Sequence, residues 1–314
     1  MSFRLKTRIV SNYGAENDTL EQLIRNLGYL DQAGLDAEFV KVHGPIKNLE
    51  ALVNGEADLC VLSGLNPLPD IEKGVQIRLI GSAMKKPALA MFSKAPHIRA
   101  VRDLAGRTIG IGPKGYLLHA TTIALLRKHG LSEKDVTFVE IGSNAQVFQA
   151  VSKGEVDAGP SSVASFYDQV ELGVHSLSDG HMWSELPDYT NQIMYASDRA
   201  IADGRETIVR TLAAFARLFR FLQTPGSMDS YSKARALAVP GNDTCESEAV
   251  CRFMLEHKPY GSDILITDER LTYMQELLAS LGEIASPMPA ERIADMSMAR
   301  DATKITGLLA QGEH

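Results

Sequence analysis

Gly110-Ile111-Gly112-Pro113-Lys114-Gly115 is the segment of this 314-residue chain with the most evident chemical potential. The β-type run Arg107–Ile111 leads into it and a helix opens at about Tyr116. Unpaired backbone N–H groups and the positive end of a helix dipole therefore lie over the carboxyl end of a strand. Such a turn suits a small anionic or polar group, with a plain strand-to-helix connection as the alternative. The turn lacks the Lys-Ser/Thr pair and spacing of a phosphate loop, and GxSxG is absent from the chain. Three more loops, Ser11-Asn12-Tyr13-Gly14, Ser63-Gly64-Leu65-Asn66 and Gly159-Pro160-Ser161-Ser162, are rich in small hydroxyl and amide groups. Ligands of open α/β sheets bind at the carboxyl ends of strands. Hydroxyls and amides hydrogen-bond a ligand without supplying a nucleophile–base pair, which favours binding over catalysis. For each serine taken singly, helix N-capping is the alternative.

Other reactive side chains are sparse. The histidines (His43, His97, His119, His129, His175, His181, His257 and His314) include no i, i+4 pair and no HExxH, so no metal and no cofactor is expected. Cys60, Cys245 and Cys251 are odd in number and lack CxxC spacing, which argues against a disulfide framework. Cys60 reads as a small buried hydrophobe. Trp183, the single tryptophan, either stacks on a ligand or packs against its own lobe. His119, in the first turn of the Tyr116 helix, faces ligand or solvent. Lys85, Lys86 and Lys114 read as solvated charge.

The elements that position these groups follow from period and punctuation. Strand-like runs at Thr7–Ser11, Asp36–Val42, Leu59–Leu62, Gln76–Ala83, Ala88–Ser93, Arg107–Ile111 and Val136–Ile141 alternate with helical segments at Asn17–Ala33, Asn48–Asn54, Leu117–His129 and Gln146–Ser152. That alternation is the pattern of βαβ units on a largely parallel sheet. After Ser197 helices dominate, and Ile208, Leu212, Phe215, Phe219 and Leu222 form one apolar stripe in Arg205–Leu222. Composition is that of a globular chain, 45% hydrophobic and 23% charged. With 32 basic and 39 acidic residues the net charge is −7, which removes the basic field a nucleic-acid or anionic-membrane binder carries. No apolar run approaches the roughly 20 residues of a membrane span, and the N-terminal MSFRLK lacks a signal-peptide core. As written, the chain is expected to be soluble, and either cytoplasmic or recorded without its leader.

The grammar repeats. Leu49–Asp58 and Phe148–Asp157 share Ala, Gly, Glu and Asp at matching positions 99 residues apart, and Gln32-Ala33-Gly34-Leu35 is echoed by Lys128-His129-Gly130-Leu131. Two lobes on one βαβαβ plan are expected; generic α/β punctuation is the alternative.

Together these residues resemble a known group. Gly28-Tyr-Leu-Asp-Gln-Ala-Gly-Leu-Asp-Ala-Glu-Phe-Val40 looks like a characteristic segment of nitrate/sulfonate/taurine-type substrate-binding proteins of ABC importers, including the pyrimidine-precursor binders. Leu52–Asp58, Val101–Gly110, Leu125–Leu131, Ala150–Asp157, Arg205–Leu222, Leu271–Leu281 and the stretch from Pro289 follow in the family's order. The resemblance implies a type 2 periplasmic-binding-protein fold: α/β, two lobes closing by hinge bending around a ligand, and crossover strands at Ala88–Ser93 and Gln192–Ser197. Lobe I would be 1–93 plus 192–314, and lobe II 94–191. Carried over by position, ligand contacts fall on Ser11, Asn12, Tyr13, Ser63, Gly64, Gly115, Tyr116, His119, Ser161, Ser162, Tyr189 and Asn191. The expected function is non-catalytic capture of a small organic solute, anionic or aromatic, for an ABC permease in the periplasm. Tyr116 stands where the family usually has Ser or Thr, which favours a larger, aromatic ligand over a bare sulfonate or nitrate. The rival is a cytoplasmic enzyme on the same fold, an aromatic-acid decarboxylase or pyrimidine-precursor enzyme, with His119 or His181 as base. The cysteine-rich motif of the pyrimidine synthase is absent.

Overall fold

The computed structural model describes residues 4–63, 67–240, 244–261 and 263–310. Among these the strands are β1 (Leu5–Asn12), β2 (Leu35–Val42), β3 (Leu59–Ser63), β4 (Ile77–Ser82), β5 (Leu89–Ser93), β6 (Thr108–Ile111), β7 (Thr137–Glu140), β8 (Ala158–Ser162), β9 (His175–His181) and β10 (Ile193–Ser197). They build two five-stranded sheets, β2-β1-β3-β10-β4 and β7-β6-β8-β5-β9. Four strands of each sheet run parallel and one runs against them: β10 pairs antiparallel with β3 and β4, and β5 with β8 and β9. Strand for strand the two orders are the same. The fold is mixed α/β.

The internal repeat has a physical cause. Gly55 and Gly154 both adopt φ +73, a left-handed cap that a β-carbon would strain. Each is followed by the same closure, Glu56 N–H to Ala51 O and Glu155 N–H to Ala150 O. The repeated aspartates then fix the next strand. Asp58 accepts the Arg8 N–H at 2.9 Å and donates its own N–H to Arg8 O. Asp157 accepts the Thr108 N–H at 2.8 Å and donates to Thr108 O. One motif thus ends a helix and pins a strand of its sheet, β1 in the first and β6 in the second.

The chain divides into two compact units, Met1–Lys85 with Gln192–Thr272 and Pro287–His314, and Lys86–Asn191 with Tyr273–Ser286. This differs from the sequence-based cut at two places. The strand β5 is bonded along both β8 and β9, which carries residues 86–93 into the second unit. Leu277, 9% exposed, belongs to the same hydrophobic core, which brings in the second half of the helix Asp268–Ser280. Three element boundaries also differ. The expected helix Asn17–Ala33 stops at Asn26, because Gly28 turns left-handed (φ +66) before the short helix Tyr29–Gln32. Gly159-Pro160-Ser161-Ser162, expected as a loop, is most of β8: Met91 pairs with Pro160 in an antiparallel register, and burial on both sides overrides the turn-type residues. The strand β9, His-Ser-Leu-Ser-Asp-Gly-His, carries no β-type pattern and was not expected. The helix Asp198–Leu222 buries its predicted stripe, with Phe215 0% and Phe219 1% exposed.

Candidate functional site

In the first unit the candidate groups lie along the carboxyl edge of the sheet. Val10 is level with Cys60 on β3, and Ile193 is level with both Ser63 and Ser82. Asn12, the end of β3, Gln192 and Ser82 therefore form one row across four strands. Ser11 is 1% exposed, and its hydroxyl reaches Asn12 O only at 3.5 Å. The Asn12 Oδ1 is buried without a hydrogen-bond partner among the described residues. Tyr13 is 53% exposed and stacks on His43 with ring centroids 4.4 Å apart. Lys41 Nζ lies 5.3 Å from the Tyr13 ring and is bonded to Asn12 O (3.2 Å), Asp18 Oδ1 (2.6 Å) and Glu21 Oε1 (2.6 Å). Three oxygens thus occupy the ammonium. Ser63 ends β3, but its side chain and Gly64 lie outside the described residues.

Sequence reading missed three members of this edge. The Ser82 Oγ, Gln192 Oε1 and Tyr260 Oη are buried and have no partner among the described residues, in residues 0%, 8% and 2% exposed. Backbone bonds tie them together: Ala83 N–H to Gln192 O, Gln192 N–H to Met84 O, and a bridge from Met84 to Tyr260. Buried polar groups are nearly always satisfied, so three orphans in one place point to a site. The strand-end rule would have reached Ser82 and Gln192 had it been applied to β4 and to the start of the antiparallel strand. Beside them, in the first turn of the helix Ala15–Asn26, the exposed Glu16 interacts electrostatically with Tyr260 and Arg235.

In the second unit the Gly112–Tyr116 turn opens the helix Leu117–Lys128, which has no side-chain cap. Gly115 needs its left-handed φ of +80, and a β-carbon there would collide with the Glu283 carboxylate. Its N–H is donated to His119 Nδ1 at 3.0 Å. The turn proposed for an anion is therefore already engaged by an imidazole and faced by a carboxylate. Accepting at Nδ1 leaves the His119 proton on Nε2, and the ring meets Phe138 edge-on at 5.0 Å. Burial and then Lys114 push the His119 pKa down, against Glu283, Glu133 and Glu140. A histidine whose folded pKa lies below its usual value of about 6.5 binds its proton more readily when unfolded. Stability is thus expected to fall as pH drops below about 6.5 and to keep falling until the folded-state pKa is passed. A series of thermal melts from pH 7.5 to 5 should show the fall, and His119→Gln should flatten it; an unchanged slope would refute the assignment.

Ser161 is 0% exposed and donates to Asn144 O at 3.0 Å, with Ser165 Oγ at 2.8 Å. Its hydroxyl is spent inside the unit. Ser162 is half-buried and makes no capping bond to the turn Val163–Phe166. Tyr189 is 7% exposed in the apolar core, and burial pushes its hydroxyl well up; Asn191 is 9% exposed. Trp183 stacks on His181 at 4.6 Å, and Phe166 meets both rings edge-on. Packing within the unit therefore describes Trp183. His181 Nε2 lies 3.3 Å from Ser176 Oγ. A cavity of about 550 Å³, lined by Arg127, Lys128, Glu185, Tyr273 and Leu277, lies at the opposite end of the helix Leu117–Lys128 from this turn. No described helix is long and apolar enough to cross a membrane.

Two sheets of equal order, each with one reversed strand and with polar side chains at their carboxyl edges, define a periplasmic-binding-protein fold. The profile described as NMT1/THI5 like matches residues 23–223, and the chain belongs to this family. No curated protein matches the sequence. Among solved structures, the periplasmic aliphatic sulphonate binding protein SsuA of Escherichia coli aligns with a TM-score of 0.76 at 18% identity, over 92% of each chain. The alkanesulfonate-binding SsuA of Xanthomonas axonopodis pv. citri, bound to MOPS, gives 0.71 at 17% identity over 96% of this chain and 99% of that one. The desulfurization enzyme DszB gives 0.61 at 16% identity over 96% and 99%.

Proposed function

We propose that this protein captures a small organic solute and hands it to an ABC permease in the periplasm. The observation that carries the reading is the group of unpartnered buried side-chain atoms on Asn12, Ser82, Gln192 and Tyr260 at the carboxyl edge of the first sheet. Orphaned polar groups cost about 1–3 kcal/mol each, which a bound ligand would recover. Family membership and a fold shared with sulfonate-binding proteins support it. Tyr13 and His43 offer a stacking surface beside the row, and Tyr116, Ser162 and Asn191 are proposed contacts in the second unit. Ser161 and Tyr189 are proposed to shape walls rather than touch ligand. Catalysis is not favoured, because the Nδ1 lone pair of His119 is held by Gly115.

A thermal-shift screen of sulfonates, aromatic carboxylates, pyrimidines, amines and nitrate, followed by calorimetry, tests the reading. Hits should bind unchanged, recovered intact by mass spectrometry. A product that forms with the protein and vanishes in His119→Ala would sink it.

A further inference from the structure

The cavity at the end of the helix Leu117–Lys128 lies wholly within the second unit, and solute capture at the first sheet makes no use of it. Its volume of about 550 Å³ is that of a small-molecule pocket. The floor is the core of the unit itself: Ala124, Leu186 and Leu277 are 7%, 4% and 9% exposed, with Tyr273 packed against that core. Five charged residues line the cavity, Arg127, Lys128, Glu185, Asp188 and Glu276. Both cations are neutralised in place. Arg127 donates to Ser280 Oγ at 2.6 Å and to Glu133, while Lys128 donates to Glu185 O at 2.6 Å and lies 3.2 Å from the Glu185 carboxylate. His129 Nε2 is 3.2 Å from that same carboxylate. Asp188 and Glu276 differ: both are exposed, and among the described residues neither has an ion pair or a hydrogen bond. Asp188 is close enough to Tyr273 to add to the effect of burial in pushing that hydroxyl up. The helices Leu117–Lys128 and Asp268–Ser280 both end at this wall, so the negative ends of two dipoles add to the carboxylates. Arg127 and Lys128 keep spare N–H groups, but an anion reaching them would find each cation already matched and two unpaired carboxylates beside it.

We propose that this cavity is a second binding site, for a small organic cation whose apolar or aromatic body sits on Leu186, Leu277 and Tyr273 and whose positive group faces the Asp188 and Glu276 rim. The Tyr273 ring adds a cation–π surface to the two carboxylates. The 12-residue helix Leu117–Lys128 is about 18 Å long, which separates this site from the Gly115 turn at its other end.

Calorimetry at pH 7 on the full chain tests it with three probes of similar size: 2-phenylethylamine, 2-phenylethanol and 3-phenylpropionate. The amine should bind at least about tenfold tighter than the carboxylate, because the rim attracts the one and repels the other, with the alcohol between them. Asp188→Asn, at an exposed position, should weaken the amine about threefold and leave the alcohol unchanged. Glu276→Arg should turn the preference towards the carboxylate, a reversal that misfolding does not produce. Equal affinity for the three probes, tighter binding of the carboxylate, no heat from the amine, or an amine affinity untouched by both substitutions overturns the proposal. Solute capture at the first sheet does not depend on these residues.

Discussion

Replacing Asp157 with Ala is expected to destabilise the protein by about 3 kcal/mol, since two hydrogen bonds to one charged group are lost. The Asp157 Oδ2 accepts both the Thr108 N–H and the Thr108 hydroxyl at 2.8 Å, holding β6 at its start. Burial disfavours the charge, but the Thr108 bonds, helped by Arg107 and His97, outweigh it and lower the carboxyl pKa. A depressed carboxyl stabilises the fold above its unfolded value of about 3.9 and loses that contribution as pH falls through the folded one. Urea melts at pH 7 should therefore separate Asp157→Ala from the wild type clearly, and the gap should shrink in acid. At pH 7 Asp58→Ala should cost a similar amount in the first sheet, where the Arg8 N–H and Nη2 are the donors. A loss under about 0.5 kcal/mol at pH 7 in both variants, the size of an ordinary surface change, would remove the aspartate clamp as the meaning of the repeat.

The second large effect has opposite signs for stability and binding. Ser82→Ala and Tyr260→Phe each delete a buried hydroxyl that has no partner, while Tyr260→Phe keeps the ring stacked on Phe219 at 4.9 Å. Without ligand each variant should be more stable by about 1 kcal/mol, because the desolvation cost of the hydroxyl disappears. Solute affinity should fall about tenfold in each, equivalent to about 1.4 kcal/mol. Stability bought at the expense of function is the signature of a binding surface. Melts and calorimetry on the same preparations decide it. If either variant were both less stable and equally tight in binding, the hydroxyls would be structural.

Much of the architecture was legible because its signals are local. Strands with β-branched runs, the left-handed glycines and the stripe from Ile208 to Leu222 each depend on residues within a few positions of one another. The repeat was legible for the same reason, although its chemistry, an aspartate bonded back 50 residues to Arg8, was not. β8 was missed because Pro160 joins a strand only through burial between β6 and β5, and β9 because the polar His175–His181 stretch becomes a strand only by pairing with β5 at the sheet edge. The candidate site was legible by place and much less by residue. The strand-end rule pointed to the edge where the unpartnered groups of the first unit lie, whereas in the second unit Ser161 is spent on Asn144 O and Tyr189 is buried. Ser82 and Tyr260 carry no signal until the register sets them beside Gln192. Glu283 meets the Gly115 turn from 168 positions away, and no spacing rule reaches so far.

The interleaving of the two sheets has a consequence for how the chain is made. β10, the fourth strand of the first sheet, is Ile193–Ser197, so a growing polypeptide cannot close that sheet until the whole of Lys86–Asn191 has been synthesised. The second unit in turn waits for Leu277, and its core stays open while the helices from Asp198 onward emerge. Neither half can mature until most of the chain has emerged, the second with Ser286 and the first only with Pro287–His314, so both would expose unfinished apolar edges for most of translation. A ribosome-stalled chain ending before Tyr273 should be sensitive to protease throughout, one with Ser286 just clear of the ribosome should protect Lys86–Asn191 first, and only with Pro287–His314 also clear should both halves be protected.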